Sequence, residues 1–195
     1  TKLIRNIKLN LIGSHNILNS VAAIALSLYI GIDLKIIKKS LSEFAGIQRR
    51  LTKVHQINKN DFFDDYAHHP TEIKSVLDGL KKTNPNRKII SIFQPHRYSR
   101  LKLLKKDFSY SFKASDKLVL CPVYAAGEKV DKSYKDENFA KQISKNSDTQ
   151  VILIYNQNEL NKFLKRNLFD DELIIGMGAG SITKWMSEIS LKWKI

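Results

Sequence analysis

At 195 residues with 43% apolar side chains the chain can bury a real core, and its single cysteine, Cys121 in KLVLCPVY, excludes an internal disulfide framework and fits a reducing compartment. No apolar stretch reaches the roughly 20 residues that span a bilayer, and TKLIRNIKLN lacks the apolar core of a secretory signal, so a soluble, cytoplasmic protein with no membrane span is expected. The formal charge of +14 is spread over lysines on helices and loops, without interleaved aromatics or a recognition-helix signature; it reads as solvated surface, and nucleic acid is not an expected partner.

The chain falls into two parts. Residues 14–30, SHNILNSVAAIALSLYI, form an Ala-rich apolar helix with Ser14 as N-cap and Gly31 as stop. Asp33 then caps a second helix, LKIIKKSLSEF, which ends near Gly46. Two such helices need a partner layer that this part does not supply, and no initiator methionine heads the chain, so a fragment of something longer is expected.

From about residue 51 strands alternate with helices. The expected strands are 52–58, 61–66, 88–93, 117–121, 150–155 and 172–176, and the expected helices are 70–82, 98–113, 136–145, 158–168 and 181–192. The alternation predicts an α/β fold, a Rossmann-like, mainly parallel sheet with helices on both faces. Ligands of such sheets sit beyond the carboxyl ends of the strands.

Two strings lie at such ends. In DDYAHHPTE, Asp64 to Glu72, the aspartates could accept from paired hydroxyls such as those of a ribose, hold a metal-bound water, or cap a turn. Histidines donate to phosphate or shuttle protons near neutral pH. Adjacent His68 and His69 should diverge, so a zinc site is not expected and one of the two should be structural. In FQPHRYSR, Phe93 to Arg100, Arg97 and Arg100 stand three apart; on a helical turn they would share a face and grip a carboxylate beside His96. Gly176, Gly178 and Gly180 of GMGAGSI have G-x-G-x-G spacing, not the dinucleotide fingerprint, and read as a tight turn against the sheet. YAAGE, Tyr124 to Glu128, reads equally as a substrate-adjacent loop and as a strand-end turn, and Glu128 is not assigned as a catalytic base.

GSHNILNSVAA, GIQRR, DDYAHHPTE, FQPHRYSR, VYAAGE and GAGSI occur in an order and spacing that resembles the alanine-adding branch of the Mur ligase family of peptidoglycan synthesis. FQPHRYSR departs from the sister branch that recycles murein tripeptide. The resemblance implies residues 1–50 as the end of a central ATP-binding domain and 51–195 as the family's C-terminal domain. It also implies ATP-dependent ligation of L-alanine to UDP-N-acetylmuramate through an acyl phosphate. Asn16 and Asn19 would hold the adenine, Arg50 the ATP phosphates and Asp65 the ribose. Tyr66, His68 and His96 would stand at the reacting centre, with Arg97 and Arg100 on the alanine carboxylate.

No metal ligand is assigned: the chain lacks a G-x-x-x-x-G-K-[ST] loop, so the ligands of the expected Mg2+ are placed mainly in the missing N-terminal part, and the missing N-terminal and central domains are expected partners. The chain alone is expected to be inactive. The alternatives are a basic binding module with a ligase-derived fold, bound to nucleic acid or regulatory, and a Mur-type ligase for another amino acid or peptide.

Overall fold

A computed structural model describes residues 3–11 and 14–189, with the side chains of residues 14 and 15 outside that description. The Ser14 cap and the predicted helix beyond residue 189 therefore fall outside the described residues. The chain divides into two compact units, Thr1–Gln48 and Arg49–Ile195, each considered by itself.

The first unit carries α1 (Ser14–Tyr29) and α2 (Leu34–Glu43). Gly31 stops the first helix at φ +85°, a backbone that L side chains rarely adopt. The Asp33 carboxylate accepts from the Lys35 amide at 2.7 Å and starts the second. Ile17, Leu18, Val21 and Leu26 of α1 are each more than half exposed, whereas Ile24 and Ile37 are buried.

The second unit is a six-stranded sheet in the order β1-β2-β6-β3-β4-β5. Its strands are β1 (Thr52–Ile57), β2 (Asn60–Asp65), β3 (Ile89–Phe93), β4 (Lys117–Leu120), β5 (Gln150–Leu153) and β6 (Leu173–Met177). All neighbours are parallel except the β1–β2 hairpin. The helices are α3 (Pro70–Thr83), α4 (Tyr98–Ser109), α5 (Asp136–Ser147), α6 (Gln157–Asn167) and α7 (Ile182–Glu188).

Alternation along the central strands sorts the core into two layers. Ile89 and Phe93 of β3 and Leu173, Ile175 and Met177 of β6 pack with α3, α4 and α5. Ile90, Ile92 and Ile174 point the other way, onto Leu160 and Leu164 of α6 and Ile182 and Met186 of α7. The chain steps outward through α3, α4 and α5, then returns across the opposite face through α6 to insert β6 between β2 and β3, as right-handed crossovers require. Cys121 is buried in the second layer, and burial pushes its thiol up to about 12, so it packs as a hydrophobe.

The predicted helix 98–113 is shorter in the structure. Leu104 is non-helical (φ −112°, ψ 20°), and beyond Ser109 the Tyr110 and Ser111 amides bond back three residues, to Asp107 and Phe108 carbonyls.

Candidate functional site

Because β6 enters between β2 and β3 and its following helix lies on the other face, the loops after β2 and β3 part from the loop after β6. The topology opens a crevice at the carboxyl ends of these three strands. Both sequence strings and the glycine turn border it.

After β2, Asp65 is 2% exposed, and its two carboxylate oxygens accept the amides of Leu51 at 2.6 Å and Ala67 at 2.7 Å. Burial raises its carboxyl above the usual range, against the lowering effect of those two bonds. In this geometry Asp65 takes the turn-cap role and pins the segment Arg49–Leu51, where both end residues have positive φ (61° and 48°). The Tyr66 amide adds a bond to the Arg49 carbonyl at 2.7 Å.

His69 caps α3, its Nδ1 accepting the Thr71 amide at 3.4 Å, and Pro70 follows at the first helical position. Glu72 closes the capping box by accepting the His69 amide at 3.2 Å and the His68 amide at 3.0 Å. His69 is thus the structural member of the pair, and His68 is left to face the crevice rings. The His68 Nδ1 lies 2.8 Å from the Tyr66 carbonyl, which can only accept, so Nδ1 carries the proton and the neutral ring presents a lone pair at Nε2. The Glu72 carboxylate lies 3.6 Å from the same Nδ1, on the side where that tautomer carries its proton.

After β3, His96 bridges to Tyr124 and stacks on its ring at 5.7 Å between centroids. The Arg100 guanidinium donates to His96 Nδ1 at 3.2 Å, which leaves the proton of the neutral ring on Nε2. His96 therefore presents a donor where His68 presents an acceptor, with the two ring centroids 5.6 Å apart. Burial, then Arg100, His68 and Arg97, hold the His96 pKa below the ordinary histidine value, partly offset by Glu128. Tyr66 completes the row, edge-on to His68 at 5.0 Å.

Arg97 does not share a helical face with Arg100. It stands at the N-cap of α4 with φ 70° and ψ 132°, and Arg100 lies in the first turn. The two cations meet through His96, which both influence. Arg50 is half exposed, 3.9 Å from Glu72 and 5.9 Å from the Tyr66 ring centre. Asn16 and Asn19 lie on α1 in the other unit, Asn19 on its exposed surface.

The glycine turn after β6 is a packing device. A Cβ at Gly180 would lie 2.5 Å from Tyr124 Cγ, and one at Gly178, with φ +150°, would lie 2.8 Å from the Gln94 carbonyl oxygen. Gln94 ties this turn to β3, donating to the Ser181 hydroxyl at 3.0 Å and accepting the Ile182 amide at 3.1 Å. Asp64 is buried beside it, accepting from Thr183 at 3.2 Å, and burial raises its carboxyl pKa.

Three contributors were given no role from sequence, Glu128 among them only as a residue not assigned as a catalytic base. Arg49 donates to the Gly178 carbonyl at 2.9 Å and lies 4.5 Å over the Tyr66 ring, joining the β2 and β6 ends. Glu72 was signalled by its capping-box spacing from His69. Glu128 accepts both the Ser99 hydroxyl and, at 3.1 Å, the Ser99 amide, a contact between residues 29 apart that no local pattern announces. Among the described residues, no group of three or more His, Cys, Asp or Glu side chains could hold a metal ion, and no helix is long and apolar enough to cross a membrane.

The chain is similar to known proteins in sequence and in fold. The UDP-N-acetylmuramate–L-alanine ligase of Pelagibacter ubique is 52% identical over 95% of the chain, and that of Brachyspira hyodysenteriae 40% identical over 93%. The chain spans about 40% of the length of either relative. Among solved structures, the UDP-N-acetylmuramate–alanine ligase MurC of Thermotoga maritima superposes with a TM-score of 0.80 at 27% identity, covering 98% of this chain and 40% of that one. A murein peptide ligase from Psychrobacter arcticus, at 23% identity and a TM-score of 0.69, covers 95% of this chain and 38% of its own, and shares the fold. The family described as "Mur ligase, glutamate ligase domain" matches residues 49–180. With that match running from the arginine that packs on Tyr66 to the glycine that closes the β6 turn, the chain belongs to the Mur ligase family.

Proposed function

We propose that the chain supplies the C-terminal part of an active site that joins L-alanine to UDP-N-acetylmuramate at the expense of ATP. The observation that carries this reading is the clustering of His68, His96 and Arg100 at the β2 and β3 ends, in a chain 52% identical to a ligase of that name. The muramyl carboxylate takes the γ-phosphoryl group of ATP, giving an acyl phosphate and ADP. The amine of L-alanine then attacks the acyl carbon; the new C–N bond forms as the C–O bond to phosphate breaks, and inorganic phosphate leaves.

The second step uses the two tautomers. Arg97, Arg100 and the His96 Nε2–H hold the alanine carboxylate, converting an encounter into an oriented attack. His68 Nε2 takes the surplus amine proton, and Glu72 steadies the resulting imidazolium. Tyr66 and Arg50 border the phosphoryl region, where the exposed Arg50 guanidinium suits ATP phosphate oxygens. Asn16 and Asn19 hold the adenine. Asp65 acts on the ribose side of the site by fixing the backbone of Arg49–Leu51. Bound Mg2+ would supply charge neutralisation at the phosphates, on ligands expected mainly outside this chain.

The test is phosphate release from the full-length polypeptide that contains this chain, given UDP-N-acetylmuramate, ATP, Mg2+ and L-alanine. Alanine-dependent release, lost on replacing both Arg97 and Arg100 with alanine in a folded protein, is the expected result. A folded protein that releases phosphate only with a different amino acid or peptide, or with none, overturns the substrate assignment.

A further inference from the structure

The loop Tyr124–Glu128 is fastened to the segment Pro95–Ser99 at several points. The Tyr124 amide donates to the Pro95 carbonyl at 2.8 Å, and the Arg97 amide to the Tyr124 carbonyl at 2.9 Å. Glu128 then takes the Ser99 amide at 3.1 Å and the Ser99 hydroxyl. The loop is itself closed by a bond from the Glu128 amide to the Ala125 carbonyl at 3.0 Å, with Ala126 and Gly127 at positive φ (50° and 88°).

This fastening answers a local need. Arg97 is held at a φ that a side chain disfavours, and it offers α4 no side-chain cap. A helix start without a cap leaves amides unsatisfied and its first turn free to fray. Glu128 fills the vacancy from another loop, and its charge suits the positive end of the helix.

We infer that Glu128 is a positioning residue: by capping α4 from the β4 side it fixes the start of the helix, and so the geometry of Arg97 and Arg100 toward the amino acid carboxylate. The inference rests on the carboxylate-clamp reading of those arginines. It assigns Glu128 neither proton transfer nor substrate contact. The shift of its carboxyl below the usual range, caused first by the Ser99 hydroxyl bond, fits an anion committed to that cap at neutral pH.

The test compares Glu128→Ala, Glu128→Gln and Ser99→Ala in the full-length enzyme. Glu128→Ala should raise KM for L-alanine roughly ten- to a hundred-fold, the scale of a misplaced orienting group, with KM for ATP and for the UDP-sugar within about two-fold of wild type. Glu128→Gln, which keeps one acceptor, and Ser99→Ala should fall between. Amide hydrogen exchange at Ser99 should accelerate in Glu128→Ala, a reading that needs no turnover and no folded active site elsewhere. An unchanged KM for L-alanine in an active enzyme, an equal rise in all three KM values, or unchanged exchange at Ser99 overturns the inference. A wild-type enzyme without alanine-dependent turnover instead overturns the ligase reading, while the exchange result still judges the cap. Should Glu128→Ala fail to fold, the Gln and Ser99 variants decide by the same criteria.

Discussion

Arg97 sets backbone cost against function, and two substitutions separate the terms. Its φ of 70° with ψ of 132° is a conformation that glycine tolerates better than a residue with a Cβ. Such a residue stores about 1–3 kcal/mol. Replacing it by glycine releases that strain but adds about 0.5–1 kcal/mol of backbone entropy to the unfolded chain. The net expectation for Arg97→Gly is a gain of about 1 kcal/mol, or about 2–4 °C in the midpoint of thermal unfolding for a chain of this size. Arg97→Ala removes the same exposed guanidinium but keeps the Cβ, so its midpoint should stay within about 1 °C of wild type. The assay is calorimetry on the 195-residue chain, paired with alanine-dependent phosphate release in the full-length protein, where both variants should lose the clamp. A glycine variant that melts with, or below, the alanine variant would refute the claim that backbone strain is held at this position.

Removing the Arg100 charge with Arg100→Ala should raise the His96 titration midpoint toward the ordinary histidine value, because Arg100 is the largest charge acting on that ring after burial; an NMR titration that shows no rise would refute this. In the wild type, His96 is depressed in the folded state, so the unfolded chain binds the extra proton first. Stability should therefore fall as pH drops through the unfolded value of about 6.5 toward the lower folded one, and this part of the fall should vanish in His96→Gln. Asp65→Asn turns one of two buried acceptors into a donor facing the Leu51 or Ala67 amide, and should cost about 1–3 kcal/mol in a denaturant titration; a variant of wild-type stability would show that the carboxylate is not holding the turn. Gly180→Ala drives a methyl into Tyr124 and Gln94 and should cost about 1–3 kcal/mol by the same titration, with no loss meaning that the turn has room to move.

Much of this was legible in the chain. Alternation and turn residues located every strand to within two residues, because a strand buried on both faces, such as IISIF, admits few other readings. Strand order was not legible: nothing local in LIIGM says that it belongs between β2 and β3, since its place follows from the crossovers and from packing on both faces. The chemistry was legible as strings, but the division of labour within them was not. His68 and His69 are identical in sequence terms, and a cap on one side and a carbonyl on the other separate them. The shared helical face of Arg97 and Arg100 failed because Arg97 precedes the helix, held there by a loop that sequence distance hides.

The late arrival of β6 has a kinetic consequence. Of the six strands of this sheet the central one is the last to be synthesised, and it is anchored to β2 across 112 residues, as between Glu172 and Asn60. Until it docks, β2 and β3 have no partner between them, and their loops cannot face each other across a crevice. Folding of this unit should be slow for its size, governed by long-range closure rather than by its helices. Nascent chains that stop short of residue 173 would display two unpaired strand edges and no site, the kind of species that chaperones hold.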